Sequence, residues 1–413
     1  MLKTLAPTLT LPRFAGEGTP PHAAKVPPLR SGGGRGPRRS LGRVGASVFA
    51  LLLAFPAQAA TLDIAPTGAP EAVFTWTADA CEPWDVPDAP ARAWRGADGG
   101  VHLLASHHRA RLMSGPALDT VRRDCRVVFE AAHDPAPEHV NDRGWLLSPY
   151  TLDGRTIHAL VHNEFHGHAR PALCPSKRYA ACWWNSVTAT VSTDSGRSFG
   201  PPRFVAGLPY PYQGDLGRRA GLFSPSNIVQ RDGWYHAMLF AEGFGAQKRG
   251  VCLMRTRNLA DASSWRAWDG AGFTVSFTQS TSTPEQHVCA PLPRLFGTVT
   301  SLVRHRPSGL YVALMQGGKP GGVWAATSPD LTTWSEPRLV WQAPAAFAPD
   351  CGQRFAYDYP SLLDPASPSR NFEDIGGTAF LYLTRLVLDG CKPGTERDLV
   401  RLPVTIRHAP SSH

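Results

Sequence analysis

Four carboxylates stand where acid–base chemistry could be built. Asp88 and Asp358 each lie two residues before a proline, Pro90 and Pro360, and each opens a short apolar stretch. Glu164 and Glu242 each close a strongly apolar stretch that follows an Asp-Gly turn, Asp153-Gly154 for the first and Asp232-Gly233 for the second. An ionised carboxylate accepts a proton or attacks carbon, a carboxyl kept protonated by apolar surroundings donates one, and glycoside hydrolysis asks for both. Around Glu164 the chain reads His162-Asn163-Glu164-Phe165-His166-Gly167-His168. Side chains alternate along an extended strand, so His162, Glu164, His166 and His168 share one face and Phe165 takes the other. Such a face suits a polar sugar subsite, a divalent cation or plain solvent, and no metal ligand set is assigned to it. Arg92, His162, His166, Trp183, Trp184 and Tyr212 are the candidate substrate contacts, because aromatic rings stack on sugars as readily as they pack against one another.

The elements that must position these groups repeat along the chain. Each unit starts with a short apolar stretch, usually around a proline, and passes through a polar turn into a strand of β-type residues. The first runs from Asp88 to Trp94, turns at Asp98-Gly99 and continues from Val101 to Ser106. The second runs from Leu147 to Leu152, turns at Asp153-Gly154 and continues from Thr156 to Asn163. The third runs from Phe223 to Val229, turns at Asp232-Gly233 and continues from Trp234 to Ala241. The fourth, Thr300 to Val303 with a turn at Ser308-Gly309 and a strand from Leu310 to Met315, lacks the proline. The fifth runs from Asp358 to Leu363 and, after a longer insertion, from Ala379 to Thr384. Later in several units a strand ends in a turn with Asp or Asn and then an aromatic: Asp194 with Phe199, Asn258 with Trp265, Asp330 with Trp334. The carboxylate or amide can accept turn N–H groups, and the aromatic can fill the space between neighbouring sheets. With no amphipathic helical period, the reading is an all-β, five-bladed β-propeller. Aligned on the prolines, Asp88, Leu147, Phe223 and Asp358 are equivalent, and ring closure makes the first and last of them neighbours.

Ser192-Thr193-Asp194-Ser195-Gly196-Arg197-Ser198-Phe199 resembles the Asp-box of sialidase-type propellers, with Phe where that motif usually has Trp. Ser328-Pro329-Asp330-Leu331-Thr332-Thr333-Trp334 resembles the blade turn of the five-bladed propellers of glycoside hydrolase family 43 and its relatives. Asp88-Ala89-Pro90, leading to Val101-His102-Leu103-Leu104-Ala105-Ser106, is similar to the first-blade start of those enzymes, with one Ala inserted between the Asp and the Pro. The resemblance implies Asp88 as base, Asp358 as the carboxylate that tunes pKa, and Glu164 or Glu242 as general acid.

The 413-residue chain carries 42 Lys and Arg against 33 Asp and Glu, a formal +9. Residues 1–60 hold +7 of that charge and none of the 12 Trp or 8 Cys, which leaves +2 on the remainder. A near-neutral body gives no phosphate-binding surface, so no nucleic-acid partner is expected. Residues 44–55 form an apolar stretch preceded by Arg38, Arg39 and Arg43 and followed by Pro56 to Ala60, the pattern of an export signal cleaved after Ala59 or Ala60. The expectation is a leader over residues 1–60, one propeller over 61–413, and a secreted or periplasmic monomer with no membrane attachment after cleavage. Cysteines in that compartment pair. Cys174–Cys182 is the best-supported bridge, with Cys252–Cys289 and Cys351–Cys391 suggested by proximity; the absence of any CxxC pair argues against zinc ligation by cysteine.

Gly196-Arg197-Ser198-Phe199-Gly200 matches the esterase nucleophile elbow in letters, but that motif needs a strand-to-helix turn and this one lies between strands. The expected function is a glycoside hydrolase-like propeller acting on a glycan at one channel mouth, with no cofactor assigned. The alternative is a non-catalytic propeller that binds carbohydrate or protein. Convergence of Asp88, Asp358 and one of Glu164 or Glu242 within about 10 Å separates the two.

Overall fold

A computed structural model of the chain describes residues 61–346 and 352–408; the leader with its apolar stretch, and Cys351, lie outside them. The described residues form a five-bladed β-propeller. Blade 1 contains Arg92–Arg95, Val101–Leu104, Leu112–Gly115 and Arg122–Arg123. Blade 2 contains Arg143–Thr151, Ile157–His166, Trp183–Ser192 and Arg203–Ala206. In blade 3 the innermost strand is split into Ala220–Phe223 and Val229–Arg231, followed by Trp234–Glu242, Gly250–Thr256, Arg266–Trp268 and Phe273–Val275. Blade 4 contains Val299–His305, Tyr311–Gly317, Gly322–Ser328 and Arg338–Gln342. Blade 5 contains Phe355–Leu363, Thr378–Asp389 and Lys392–His408. Its outer edge is completed from the start of the described chain by Leu62–Pro66 and Glu71–Phe74, with Leu62 opposite His408 and Glu71 opposite Arg401. Strand addition of this kind ties the start of the described chain to its end and closes the ring.

Within each blade consecutive strands pair antiparallel, which short polar turns permit. Blades 2 and 3 are also joined by a short parallel pairing of Ala220 with Trp184 and Gly221 with Asn185. Gly221 sits at φ 123°, and a Cβ there would lie 2.1 Å from the Asn185 carbonyl oxygen, so the join tolerates only glycine.

Five buried clusters alternate with the five blades. One lies between each neighbouring pair: Trp94, Leu112 and Val128 against Leu146 and Ile157; Val187 and Val205 against Leu239 and Cys252; Phe240 and Leu253 against Tyr311 and Met315; Val312 and Leu314 against Leu381 and Leu402; and Leu363 and Tyr382 against Leu103 and Met113. The turn aromatics seal them as the repeats predict. Trp265 and Trp334 are buried in two clusters and Phe199 packs against a third. The turns themselves are held by their acids, with Asp194 accepting from the Ser198 N–H at 2.9 Å and Asp330 from the Thr332 and Thr333 N–H groups at 2.8 and 2.6 Å. The Ser198 hydroxyl donates to Asp194 in this turn, with no helix following, so the elbow-like motif is structural.

The inner strands are tied around the channel by buried hydrogen bonds. Ser148 donates to the Ser226 carbonyl at 2.6 Å, Asn227 accepts from the Leu302 N–H at 2.7 Å, Ser301 from the Leu362 N–H at 3.1 Å, and Ser361 donates to the Ala91 carbonyl at 2.7 Å. The insertion of the fifth unit crosses one end of the channel. Glu373 accepts from the Tyr150 hydroxyl at 3.0 Å and the Gln230 N–H at 2.7 Å, Asn371 from the Thr151 N–H at 2.8 Å, and the Ser369 carbonyl from Arg95 at 2.7 Å. Since the inner strand of blade 2 runs from Arg143 to Thr151, this insertion occupies the Thr151 end and leaves the Arg143 end for a site.

Disulfides Cys174–Cys182 and Cys252–Cys289 form as expected, and Cys81–Cys125, which the spacing did not suggest, ties the segment before blade 1 to the chain that follows it. Cys391 is disulfide-bonded as well. Among the described residues no helix is long and apolar enough to cross a membrane.

Candidate active site

At the Arg143 end of the channel, Asp88 stands on the segment that leads into blade 1. Its Oδ2 accepts from Trp145 Nε1 at 3.1 Å and its Oδ1 from the Tyr359 hydroxyl at 3.2 Å. Arg397 pairs with Oδ1, and His107 Nε2 lies 3.7 Å from Oδ2. Burial alone would raise the Asp88 pKa, but the Arg397 charge, His107 and the two donated hydrogen bonds outweigh it and hold the group below the usual carboxylate range. Asp88 is therefore ionised at neutral pH. These four partners come from blade 2, from the loop after the second strand of blade 1, and from two strands of blade 5, so the carboxylate exists as a site only in the closed ring.

Asp358 and Tyr359 are aimed by a bulge. The register between Phe355–Leu363 and Thr378–Asp389 slips between Asp358 and Ser361, and Tyr359 sits at φ 56° immediately before Pro360. A non-glycine residue in that conformation costs about 1–3 kcal/mol, strain of the sort found where a side chain must be pointed at a site. Asp358 Oδ1 accepts the Tyr359 N–H at 2.7 Å. Burial pushes the Asp358 pKa up to about 7, that hydrogen bond offsets part of the rise, and the negative charge of Asp88 adds to it.

Glu164 lies two residues before the end of the second strand of blade 2, opposite Arg143, and the expected alternation holds as far as His166, whereas His168 falls in the 3-10 turn Gly167–Ala169 that follows the strand. His162, Glu164 and His166 face the site, while Phe165 packs against Tyr212 on the other side. His166 Nε2 is 2.7 Å from Glu164 Oε2, and His162 Nδ1 is 3.8 Å from Oε1. His166 is fixed in turn by Asp142, which accepts its backbone N–H at 2.8 Å and is itself clamped by Arg170 at 2.8 and 3.0 Å. Burial raises the Glu164 pKa to about 7; His162 lowers it, Asp88 adds to the rise, and Arg219 and Arg143 offset part of it. The influence of Asp88 on both Asp358 and Glu164 marks the three as one electrostatic group. A chain of contacts links Asp88 to Glu164: Asp88 to Trp145, Trp145 to His162 with ring centres 6.2 Å apart, and His162 to Glu164. His166, driven down to about 3 chiefly by burial, is neutral, so the short contact to Glu164 holds one proton between an imidazole and a carboxyl.

Glu242 is placed differently. Its two oxygens accept from Arg219 Nε at 2.9 Å and Arg249 Nε at 3.0 Å. Arg219 in turn lies 4.6 Å over the Phe223 ring and 5.4 Å over Trp183. Glu242 thus anchors a guanidinium at the mouth, with each of its oxygens bonded by an arginine.

Trp183 lies at the mouth, with its ring centre 4.9 Å from that of Tyr179, 5.7 Å from Phe223 and 6.2 Å from His166. Trp184, the next residue on the strand, faces away. It is buried with Phe165 and Leu208, and Tyr212 packs onto the same cluster with its hydroxyl donating to the Leu173 carbonyl at 3.3 Å. Alternation sends Trp184 to the face opposite Trp183, and Tyr212, on a loop, packs onto that same far face. Arg92 is also turned to structure. It is 3% exposed, and its guanidinium crosses the channel to Ser361 at 3.1 Å and the Thr300 carbonyl at 2.7 Å. With no carboxylate in those bonds, burial lowers its pKa to about 9. The groups missed by sequence reasoning are His107, Arg143, Trp145, Tyr179, Arg219, Tyr359 and Arg397. Only Tyr359, between an Asp and a Pro in the repeat, carried a local signal.

Neither a known family profile nor a curated protein matches the sequence. Several solved structures are similar to it. One is a xylan β-1,4-xylosidase from Bacillus halodurans, at 11% identity and TM-score 0.41, matched over 79% of this chain and 54% of that one, so that the chain spans about half its length. Another is an α-L-arabinofuranosidase from Podospora anserina in complex with cellotriose, at 10% identity and TM-score 0.43, over 84% of this chain and 97% of that one. A third is an α-L-arabinanase from Cellvibrio cellulosa complexed with arabinohexaose, at 12% identity and TM-score 0.44, over 77% and 91%.

Proposed function

We propose that the protein is an exported glycoside hydrolase-like propeller that cleaves a glycan at its open mouth, with Glu164 as general acid and Asp88 as the ionised partner. The observation that carries the reading is the opposite displacement of two carboxyls in one mouth: Asp88 held ionised, Glu164 raised to about 7. Carboxyls pushed apart in this way are the mark of acid and base assignments. Glu164 gives its proton to the glycosidic oxygen as the bond from that oxygen to the anomeric carbon breaks. Asp88 either takes the proton of the attacking water or attacks the anomeric carbon itself, after which water releases the sugar. Asp358, neutral up to about 7, spares Asp88 a second adjacent negative charge. Tyr359 and Trp145 keep the Asp88 oxygens oriented, and Trp183 offers a ring on which a sugar can stack.

Export is supported by the disulfides, which persist in oxidising compartments, together with the leader-like stretch at residues 44–55. The test is a panel of aryl-glycosides and a glycan array, with Asp88→Asn as the control. Turnover by the native chain that is lost in the variant supports the assignment. Glycan binding without turnover, unchanged by Asp88→Asn, would establish a non-catalytic binding propeller instead.

A further inference from the structure

Beside the mouth, on the blade 1 side, lies a group of side chains that the hydrolytic scheme does not use. His108, Glu130 and His133 each bring one ligating atom to within 4.8 Å of the others. Two of them are placed by an isolated bridge between Ala110 and Phe129, which sets the segments bearing His108 and Glu130 side by side. His133 is held by its backbone: its N–H donates to the Asp142 carbonyl at 3.1 Å, its own carbonyl accepts from Arg170 at 3.4 Å, and its φ is 56°. The strained conformation turns its ring toward Glu130, with Nε2 3.5 Å from Oε1, and toward His108, with ring centres 5.9 Å apart. The other Glu130 oxygen is bonded by Arg109 Nε at 3.2 Å, and Arg109 is itself held by Glu82. One carboxylate oxygen is therefore oriented from behind and the other turned to the imidazoles, the outer support expected of a metal-ligating carboxylate. His108 Nδ1 is buried with no hydrogen-bond partner.

We propose that His108, His133 and Glu130 bind a divalent transition ion of the Zn2+ class. Two imidazoles and one carboxylate suit Zn2+ and its first-row neighbours, whereas Ca2+ and Mg2+ prefer all-oxygen shells. Ligands at the usual 2.0–2.1 Å from a tetrahedral ion stand about 3.3 Å apart, so the side chains must close by roughly 1 Å or a little more. The Glu130 and His133 side chains are 35% and 46% exposed and have room to do so. Three protein ligands leave one position for water or a sugar hydroxyl. The ion would also brace the mouth, because the His108 ring meets His107 at 4.3 Å and Trp145 at 5.7 Å between centres, and both of those contact Asp88. This inference does not depend on the hydrolytic reading, since its test needs no turnover.

The experiment is calorimetric titration of the chelator-treated protein with Zn2+ alone, with the Co2+ absorption spectrum as a second probe. One equivalent per chain is expected, with at least about a tenfold loss of affinity in His133→Ala and in Glu130→Gln. His139→Ala, an exposed histidine paired with Asp134, should bind as the native chain does. Thermal unfolding of each variant separates lost ligation from lost folding. Absence of stoichiometric binding, or equal affinity in His133→Ala, overturns the proposal. So does binding that survives both variants and disappears in His166→Ala, which would place the ion at the Glu164 histidines.

Discussion

Replacing Tyr359 by Phe removes a single oxygen from the site and nothing from its apolar packing. That oxygen donates to Asp88 Oδ1 at 3.2 Å, so the variant deletes one of four interactions that favour the ionised carboxylate. A hydrogen bond to a charged group contributes about 1.5–3 kcal/mol, and the 3.2 Å length points to the lower end. At about 1.4 kcal/mol per factor of ten, the proton affinity of Asp88 should rise roughly tenfold. Arg397, Trp145 and His107 remain and keep the group on the acidic side. Any activity that needs the ionised group then keeps its basic limb and has its acid limb displaced to higher pH. The assay is a carbon-detected NMR titration of the Asp88 carboxyl, assigned with Asp88→Asn, alongside the pH profile of turnover. A titration midpoint that stays in place or moves to lower pH refutes the account of how Asp88 is held. Phe tolerates the φ of 56° as well as Tyr does, so no change in backbone strain intrudes.

Glu164 should make the protein less stable as pH rises from about 4.5 to 7. Its folded-state pKa of about 7 exceeds its ordinary 4.5, so over that window the native chain retains a proton that the unfolded chain has released. Glu164→Gln should therefore lose less stability than the native chain between pH 5 and 8, by on the order of a few kcal/mol, in denaturant midpoints; identical pH dependences would contradict the burial argument. Asp358→Asn should act in the same direction for the same reason, since its pKa is raised from 3.8 to about 7. Gly196→Ala should destabilise by about 2–4 kcal/mol, because the position has φ 87° and the added Cβ would lie 2.9 Å from Trp94 Cζ2; thermal unfolding reads this directly. Trp334→Ala should cost about 3–5 kcal/mol by opening the seal between blades 3 and 4, and chemical denaturation would show whether the turn aromatic is a staple or an ornament.

What could be read without coordinates was local. Asp-Gly turns followed by β-type strands announce themselves within a dozen residues, and so the five units and the inter-blade roles of Phe199, Trp265 and Trp334 were legible. The proline alignment pairs Asp88 with Asp358, although Asp88 stands on the segment before Arg92–Arg95 while Asp358 is on the strand Phe355–Leu363, and alternation puts His162, Glu164 and His166 on one face. The same alternation separates Trp183 from Trp184, since adjacent strand residues cannot both face the mouth. Arg92 was misread because nothing near it in the chain reveals that it crosses the channel to Thr300. Arg397, Trp145 and His107 reach Asp88 only through ring closure, and the pairing of Leu62 with His408 that closes the ring has no short-range signal at all. Glu164 and Glu242 look alike in sequence. What divides them is direct pairing: Arg219 and Arg249 each bond a Glu242 oxygen, whereas Glu164 is met by His166 and His162.

The central claim is that Glu164 delivers a proton to a departing glycosidic oxygen. Leaving-group dependence tests it most directly: the hydrolysis of matched aryl-glycosides with poor and with highly activated leaving groups, by the native chain and by Glu164→Gln. The account predicts a fall of about 10²–10⁴-fold on the poor leaving group and little change on the activated one, which departs without protonation. Equal losses on both substrates, or none on either, would contradict it.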